Sequence, residues 1–345
     1  MKNKISSPIV IMVMVFFVTG TFFTNSVYSQ FVNVTINLDT VKSKKNIVMK
    51  KELDKETGNN FISLVRDICQ GPNNTYYLND ANNHRIVQFT KDDKLLNSIG
   101  RWGERPGEFI TPHCIKYYDN GKSSRLYVLD NNGTRLQMFD ANGKYVENKR
   151  SIDISADFFD IDNDGNIIVP MRTDIDYFIT KFSPTGKVLE KLIPIDKNDP
   201  LLFKDEKKQL SEVIYDKKND IYWLFFTTSP NIRIYNSKGD LVKEIKFVNE
   251  SINKVYKDTE EIMKQYAGQV RMTQIFQRNV KLLPNGTIYV CLPFIINLEL
   301  SYKNDNIHIT KYEVKDIEGK ITEDYTLSLI NGKYYGFTFT SFFRE

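Results

Sequence analysis

Histidine and cysteine are scarce in this chain, each occurring three times in 345 residues. Three histidines do not supply a convincing set of converging ligands for a zinc-dependent lyase or hydrolase. Cys69, Cys114 and Cys291 contain no C-x-x-C pair and no Cys/His metal spacing. An odd, sparse set is not a disulfide framework. It reads as three buried free thiols, with a single Cys69–Cys114 bridge as the alternative. Also missing are a G-x-S-x-G elbow, a phosphate-binding loop and a dinucleotide fingerprint. Basic residues (47) barely outnumber acidic ones (43), and no Lys/Arg block extends beyond short local runs. A nucleic-acid partner would need a basic stripe, so that class is excluded. Helical periodicity is confined to Asn253–Ala267.

No apolar run reaches the roughly 20 residues that a spanning helix needs. The N-terminus instead has the order of a secretory signal: Lys2 and Lys4, the apolar run Ile9 to Val18, then Val27-Tyr28-Ser29 at the positions a signal peptidase reads. Residues 1–29 are therefore expected to be removed, leaving Gln30 first, no membrane span, and a periplasmic or secreted monomer. An uncleaved membrane anchor is the alternative. No cysteine lies near the cleavage region, which disfavours a lipid anchor. Removing residues 1–29 takes away two lysines and no acid, so the formal charge falls from +4 to +2.

What the chain does have is a repeat. An aromatic, three residues, a turn residue and a charge recur at Phe139–Lys144, Phe182–Lys187 and Tyr235–Asp240, and with Asp for Gly at Phe89–Lys94. Each is a strand ending in a tight turn, where Gly or Asp accepts positive φ. Ahead of it, two β-rich strands flank a polar turn, as at Ile68–Leu78, Phe159–Val169, Val213–Trp223 and Val280–Val290. The copy at Ile115–Val128 has a longer turn. Together they make five four-stranded units near 64–107, 112–150, 156–195, 210–249 and 277–320. Four strands every ~40–50 residues is the pattern of propeller blades. A sixth blade is predicted from Tyr325–Ile330 and Tyr334–Phe343 (within 321–345), completed by Phe31–Leu38 and Asn46–Leu53 (within 31–53). Pairing both termini in one blade removes exposed edges. The expected fold is an all-β, six-bladed β-propeller of four-stranded antiparallel blades, one domain over 30–345.

Asp80-Ala-Asn-Asn-His-Arg85-Ile-Val-Gln-Phe89 resembles the strand–turn–strand centre of an NHL repeat. Gly103-Glu-Arg-Pro-Gly-Glu-Phe109 followed by Pro112 resembles that family's link between blades, and Leu126–Asp130 through Arg135–Phe139 is a second copy. The close likeness covers 67–143. Later units depart from it, with Met171, Phe225 and Leu292 where Asp80 and Asp130 stand. The resemblance implies a propeller that binds a ligand or partner, or one of the same-shaped lactonases and lyases, since fold does not choose function. Asp80/Arg85 and Asp130/Arg135 are expected to pair across a blade turn.

Side chains that open the inner strands should meet at the mouth of the central channel: Arg66, Asp67, His113, Asp157, Glu212, Arg278 and Asn279. Mixed charge around a concavity suits a polar small molecule, a peptide or a protein segment. Long links at 196–209 and 250–276 should rise on the same face, and long loops tend to carry function. His84 fits a structural turn position and His308 a solvent-exposed outer strand. No catalytic residue, metal ligand or cofactor is assigned. The rival reading is a hydrolase or lyase with a divalent metal held by Asp157, Glu212, Asn279 and His113. Asp160-Ile-Asp162-Asn-Asp164-Gly165 looks like the start of a calcium loop. Met171 falls where the bidentate Glu belongs, and the segment also fits a hairpin turn. Five N-x-S/T triplets, at Asn33, Asn73, Asn132, Asn249 and Asn285, would matter only in a eukaryotic secretory pathway.

Overall fold

Ile221–Phe226, of sequence IYWLFF, is buried at every position. A strand buried on both faces is a middle strand of a sheet sandwiched between two others, and its all-apolar composition follows from that. Tyr76–Asp80 and Ile288–Leu292 are likewise buried at every position, the former with Asn79 and Asp80 at its end. A computed structural model describes residues 32–41, 43–48, 51–52, 56–57, 60–146, 152–171, 174, 176–199, 201–202, 211–226, 229–265, 279–283, 285–292, 296–315, 318, 326–330, 333–337 and 342–344.

Six sheets of four or five strands follow one another. Their inner strands are Val65–Gln70, Cys114–Asp119, Asp160–Ile161, Ser211–Asp216, Asn279–Leu282 and Thr326–Ile330. Each inner strand touches the next, and the sixth touches the first, so the strands form a closed ring. Within a blade the chain-ordered strands pair antiparallel, for example Val213↔Leu224 and Leu224↔Arg233 in blade four. The turns between third and fourth strands use left-handed backbone. Gly239 has φ 85°, and a Cβ there would lie 2.9 Å from the backbone nitrogen of Ile193 in blade three, so the turn packs directly on the preceding blade. Between blades four and five the core is aliphatic and aromatic, with Trp223, Phe225, Ile245, Val290 and Leu298 fully or almost fully buried.

The N-terminal segment runs around the outside of the ring. Strand β1 (Val32–Asn37) pairs in parallel with the outer strand of blade four, Leu241–Val248. Strand β2 (Ser43–Val48) pairs in parallel with the outer strand of blade five, Asn306–Lys315. Strand β3 (Lys51–Glu52) pairs antiparallel with Phe342–Arg344 and becomes the fourth strand of blade six. Leu38, 0% exposed, fixes the end of β1 in the core of blades four and five.

Closure of the last blade by both termini is thus as expected, but the division of labour differs. The C-terminus supplies three strands, because Tyr334–Phe343 is two strands rather than one, Lys333–Phe337 and Phe342–Arg344. One N-terminal strand then suffices, and the segment expected at Phe31–Leu38 in blade six instead caps blade four. The helix α1 spans Glu250–Gln265, three residues earlier in its start than the periodicity suggests. Its start is set by Asn249, whose side-chain oxygen accepts the N–H of Ile252 at 2.7 Å. The expected leader, residues 1–29, lies outside the described residues. Among those described, no helix is long and apolar enough to cross a membrane.

Candidate site on the propeller axis

An inner strand has one edge bonded to its own blade and the other facing the axis. The axial N–H groups therefore need acceptors. Asp67 of blade one, 2% exposed, accepts the N–H of Ile115 of blade two at 2.8 Å, and that of its neighbour Ile68 at 2.8 Å. Asp160 of blade three accepts the N–H of Tyr215 of blade four at 2.9 Å. Each carboxylate is also paired with a lysine. Lys116 of blade two lies 3.6 Å from Asp160. Lys281 of blade five reaches past blade six to an ion pair with Asp67. The result is a buried polar girdle joining five of the six blades.

Glu212 of blade four completes the group. It is 7% exposed, and no hydrogen-bond or ion-pair partner for it occurs among the described residues. Burial pushes its carboxyl up to about 7, with the Lys281 and Lys116 charges pulling the other way. Each of the two ion pairs is already neutral in itself, so a third carboxylate has little left to neutralise it. Burial alone would push the Lys116 ammonium down. The carboxylate of Asp160, with Glu212 and Asp67 near, carries it above the ordinary lysine range instead. Cys69 and Cys114 are free thiols beside this cluster. Burial, with the Asp67 charge, pushes both above the usual thiol range, so they stay protonated.

Sequence-predicted residues divide into three sets. Asp67 and Glu212 are brought together, but as buried members of the girdle rather than on a wet rim. Arg66 is exposed and donates to Nδ1 of His113 at 3.1 Å, and the imidazole lies 6.3 Å from the ring of Phe158. Asp157 is half-buried in the link entering blade three. Asn279 opens the inner strand of blade five. Arg278 lies outside the described residues, as does the whole of the 250–276 link beyond α1. Lys116, Asp160 and Lys281 were not anticipated at the axis. Their signal was a lone charge inside an apolar inner strand, as in Ile115-Lys116-Tyr117.

The remaining candidates have structural work. His84 sits in a left-handed turn (φ 53°) and bonds the carbonyl of Ile110 at 2.6 Å. Thr111 also meets Asn132, so the links and the turns between second and third strands share one face. His308 is exposed. Asp162 accepts the N–H groups of Asp164 and Asn166 and pairs with Lys181 at 2.7 Å. Its carboxylate closes a hairpin turn, and that of Asp160 is committed to the girdle. Among the described residues no three His, Cys, Asp or Glu side chains converge as metal ligands. The Asp80–Arg85 and Asp130–Arg135 pairs form at 2.8 and 2.6 Å, with both carboxylates fully buried rather than exposed. Asp130 additionally accepts the N–H groups of Ile110 and Thr111, and Asp80 that of Ser63, so each clamps the link entering its own blade.

A family described as 6-bladed beta-propeller has a model that matches residues 56–281, more than half of the chain. No curated protein matches the sequence. Among solved structures, the chain is similar to a candidate exported protein of Bacteroides fragilis, with TM-score 0.53, 12% identity and 89% and 88% of the two chains covered. It is similar to virginiamycin B lyase of Staphylococcus aureus, with TM-score 0.54, 9% identity and 85% and 97% covered. A protein of unknown function from Bacteroides thetaiotaomicron gives TM-score 0.50, 12% identity and 87% and 74% covered. At these identities the likeness is one of fold.

Proposed function

The chain belongs to the six-bladed β-propeller family whose model it matches, and from that premise we propose that it is an exported, NHL-like binding propeller. Its ligand is a polar small molecule, a peptide or a protein segment, taken at the link-bearing mouth of the axis. The observation that carries this reading is the buried girdle of Asp67, Lys116, Asp160, Glu212 and Lys281, with the Arg66–His113 pair and Asp157 at the inner-strand entrances next to it. Backbone N–H donors explain two of the carboxylates, Asp67 and Asp160. Glu212 serves no described backbone group, and a desolvated acid without a partner is costly unless a site uses it. NHL-like character is supported by the two Asp–Arg clamps. Export is supported by the basic, apolar and small-residue order of the first 29 residues.

Glu212 is too buried to serve as a rim probe, so the test uses Arg66→Ala and Asp157→Asn. Residues 30–345 are screened by thermal shift against amino acids, di- and tripeptides and polar metabolites. One ligand class should raise Tm, and both variants should keep the unliganded Tm while losing most of that rise. A rise that survives both changes, or none with any class, overturns the reading.

A further inference from the structure

Independently of the axis, we propose that the link between blades one and two carries a second site, which binds a neutral pyranose ring of an oligosaccharide stacked on Trp102. The chain has two tryptophans. Trp223 is 0% exposed, whereas Trp102 is 72% exposed on the wall of an open concavity of about 600 Å³. An indole is the largest apolar side chain and is rarely left so uncovered.

The loop that presents it is held rigidly. Phe109 donates its N–H to the carbonyl of Arg101 at 2.8 Å, and Gly103 donates to that of Phe109 at 3.1 Å. The Arg135 guanidinium donates to the carbonyls of Glu104 and Glu108 at 2.6 and 3.0 Å, and Gln137 exchanges bonds with Gly107 and Glu108. The side chain of Phe109, fully buried, anchors the loop from beneath. The indole is therefore a fixed platform, and ligand binding has little loop entropy to overcome.

The surroundings of the platform select the ligand. Arg101, Glu104, Arg105 and Glu108 ring the concavity, two charges of each sign, and Ile110 is the one other apolar side chain on its wall. Arg101 and Glu108 are paired at 2.8 Å. The Arg105 guanidinium, whose charge acts on Glu108, and the Glu104 carboxylate make no ion pair or side-chain hydrogen bond among the described residues, leaving one donor group and one acceptor group beside the indole. A planar aromatic ligand would want a second apolar wall. A pyranose has one C–H face to lay on an indole and a circumference of hydroxyls that both donate and accept. Zero net charge on the lining favours a neutral sugar.

Isothermal titration calorimetry on residues 30–345 uses maltopentaose, cellopentaose, chitopentaose and mannopentaose, with benzyl alcohol as the planar control. At least one pentasaccharide should bind saturably and shift the Trp emission of the wild-type protein. Trp102→Ala should bind at least tenfold more weakly with an unchanged melting temperature, and Trp102→Phe should fall between. No binding by any of the four sugars, equal affinity in Trp102→Ala, or preference for benzyl alcohol each overturns the proposal. Axial ligand binding is unaffected by these variants, so the two sites fail separately.

Discussion

The ammonium of Lys281 in blade five meets the carboxylate of Asp67 in blade one, 214 residues away in sequence and on the far side of blade six. The pair ties two blades that are not ring neighbours. Replacing Lys281 by Met leaves a buried carboxylate without its counter-ion, and should cost ~3–5 kcal/mol of folding free energy. Asp67→Asn combined with Lys281→Met should recover part of that loss. A double-mutant cycle by urea unfolding measures the coupling, and a value within experimental error of zero would remove the pair from the account of ring closure.

Glu212 makes stability depend on pH in a defined direction. Its folded-state pKa is raised to about 7, above the ordinary 4.5. The stabilisation is therefore fully present below about pH 4.5 and is lost as pH rises through about 7. Glu212→Gln should unfold with the same free energy as wild type at pH 4 and be more stable by ~2–4 kcal/mol at pH 8. Parallel unfolding curves across pH 4–8, with no gap opening between the two proteins, would contradict the burial of an unpaired acid.

Asp130 is predicted to govern the order of the first link. Alanine at this position removes the acceptor for Ile110 and Thr111 and strands the Arg135 guanidinium, at a cost of ~3–5 kcal/mol. Hydrogen exchange should speed up at the amides of residues 110 and 111 before it does elsewhere. Asp130→Asn keeps an acceptor oxygen and should show a smaller effect at the same two amides.

Truncation separates the two jobs of the N-terminal segment. A chain starting at residue 42 lacks β1 and Leu38, which uncovers the outer edge of blade four. Loss of the Leu38 side chain alone should cost ~2–3 kcal/mol, and the bare edge should promote self-association. A chain starting at residue 56 also lacks β3 and should lose cooperative unfolding. Sedimentation velocity and calorimetry on both would detect this, and a monomeric residue-56 chain melting like wild type would dispose of the closure described above.

The blades were legible because turn chemistry and alternation are local. Gly143, Gly186 and Gly239 each end a third strand, and their neighbours alternate as strands must. The Asp–Arg clamps were legible from their five-residue spacing, though not their burial, which depends on the link folding over them. The path of β1 was not legible. Val-Asn-Val-Thr-Ile-Asn says strand, but nothing in six residues says which outer edge receives it, and a parallel partner leaves no hairpin turn to mark it. Within the site, Asp67 and Glu212 were found by their position near strand starts. Lys116, Asp160 and Lys281 read in sequence as the wet half of an alternating strand. Only when six inner strands face a common axis do those charges meet one another instead of solvent.

The N-terminal strands have partners far along the chain. Val32 awaits Lys243, Asn46 awaits Glu313 and Glu52 awaits Phe343. Such long sequence separations slow folding, since loop closure must precede the contacts that reward it. During synthesis β1 has no complete edge to join until residue 248 is made, β2 until residue 315 and β3 until residue 344. The outer edge of blade six therefore closes last: the architecture postpones its own completion until Phe342–Arg344 has been made.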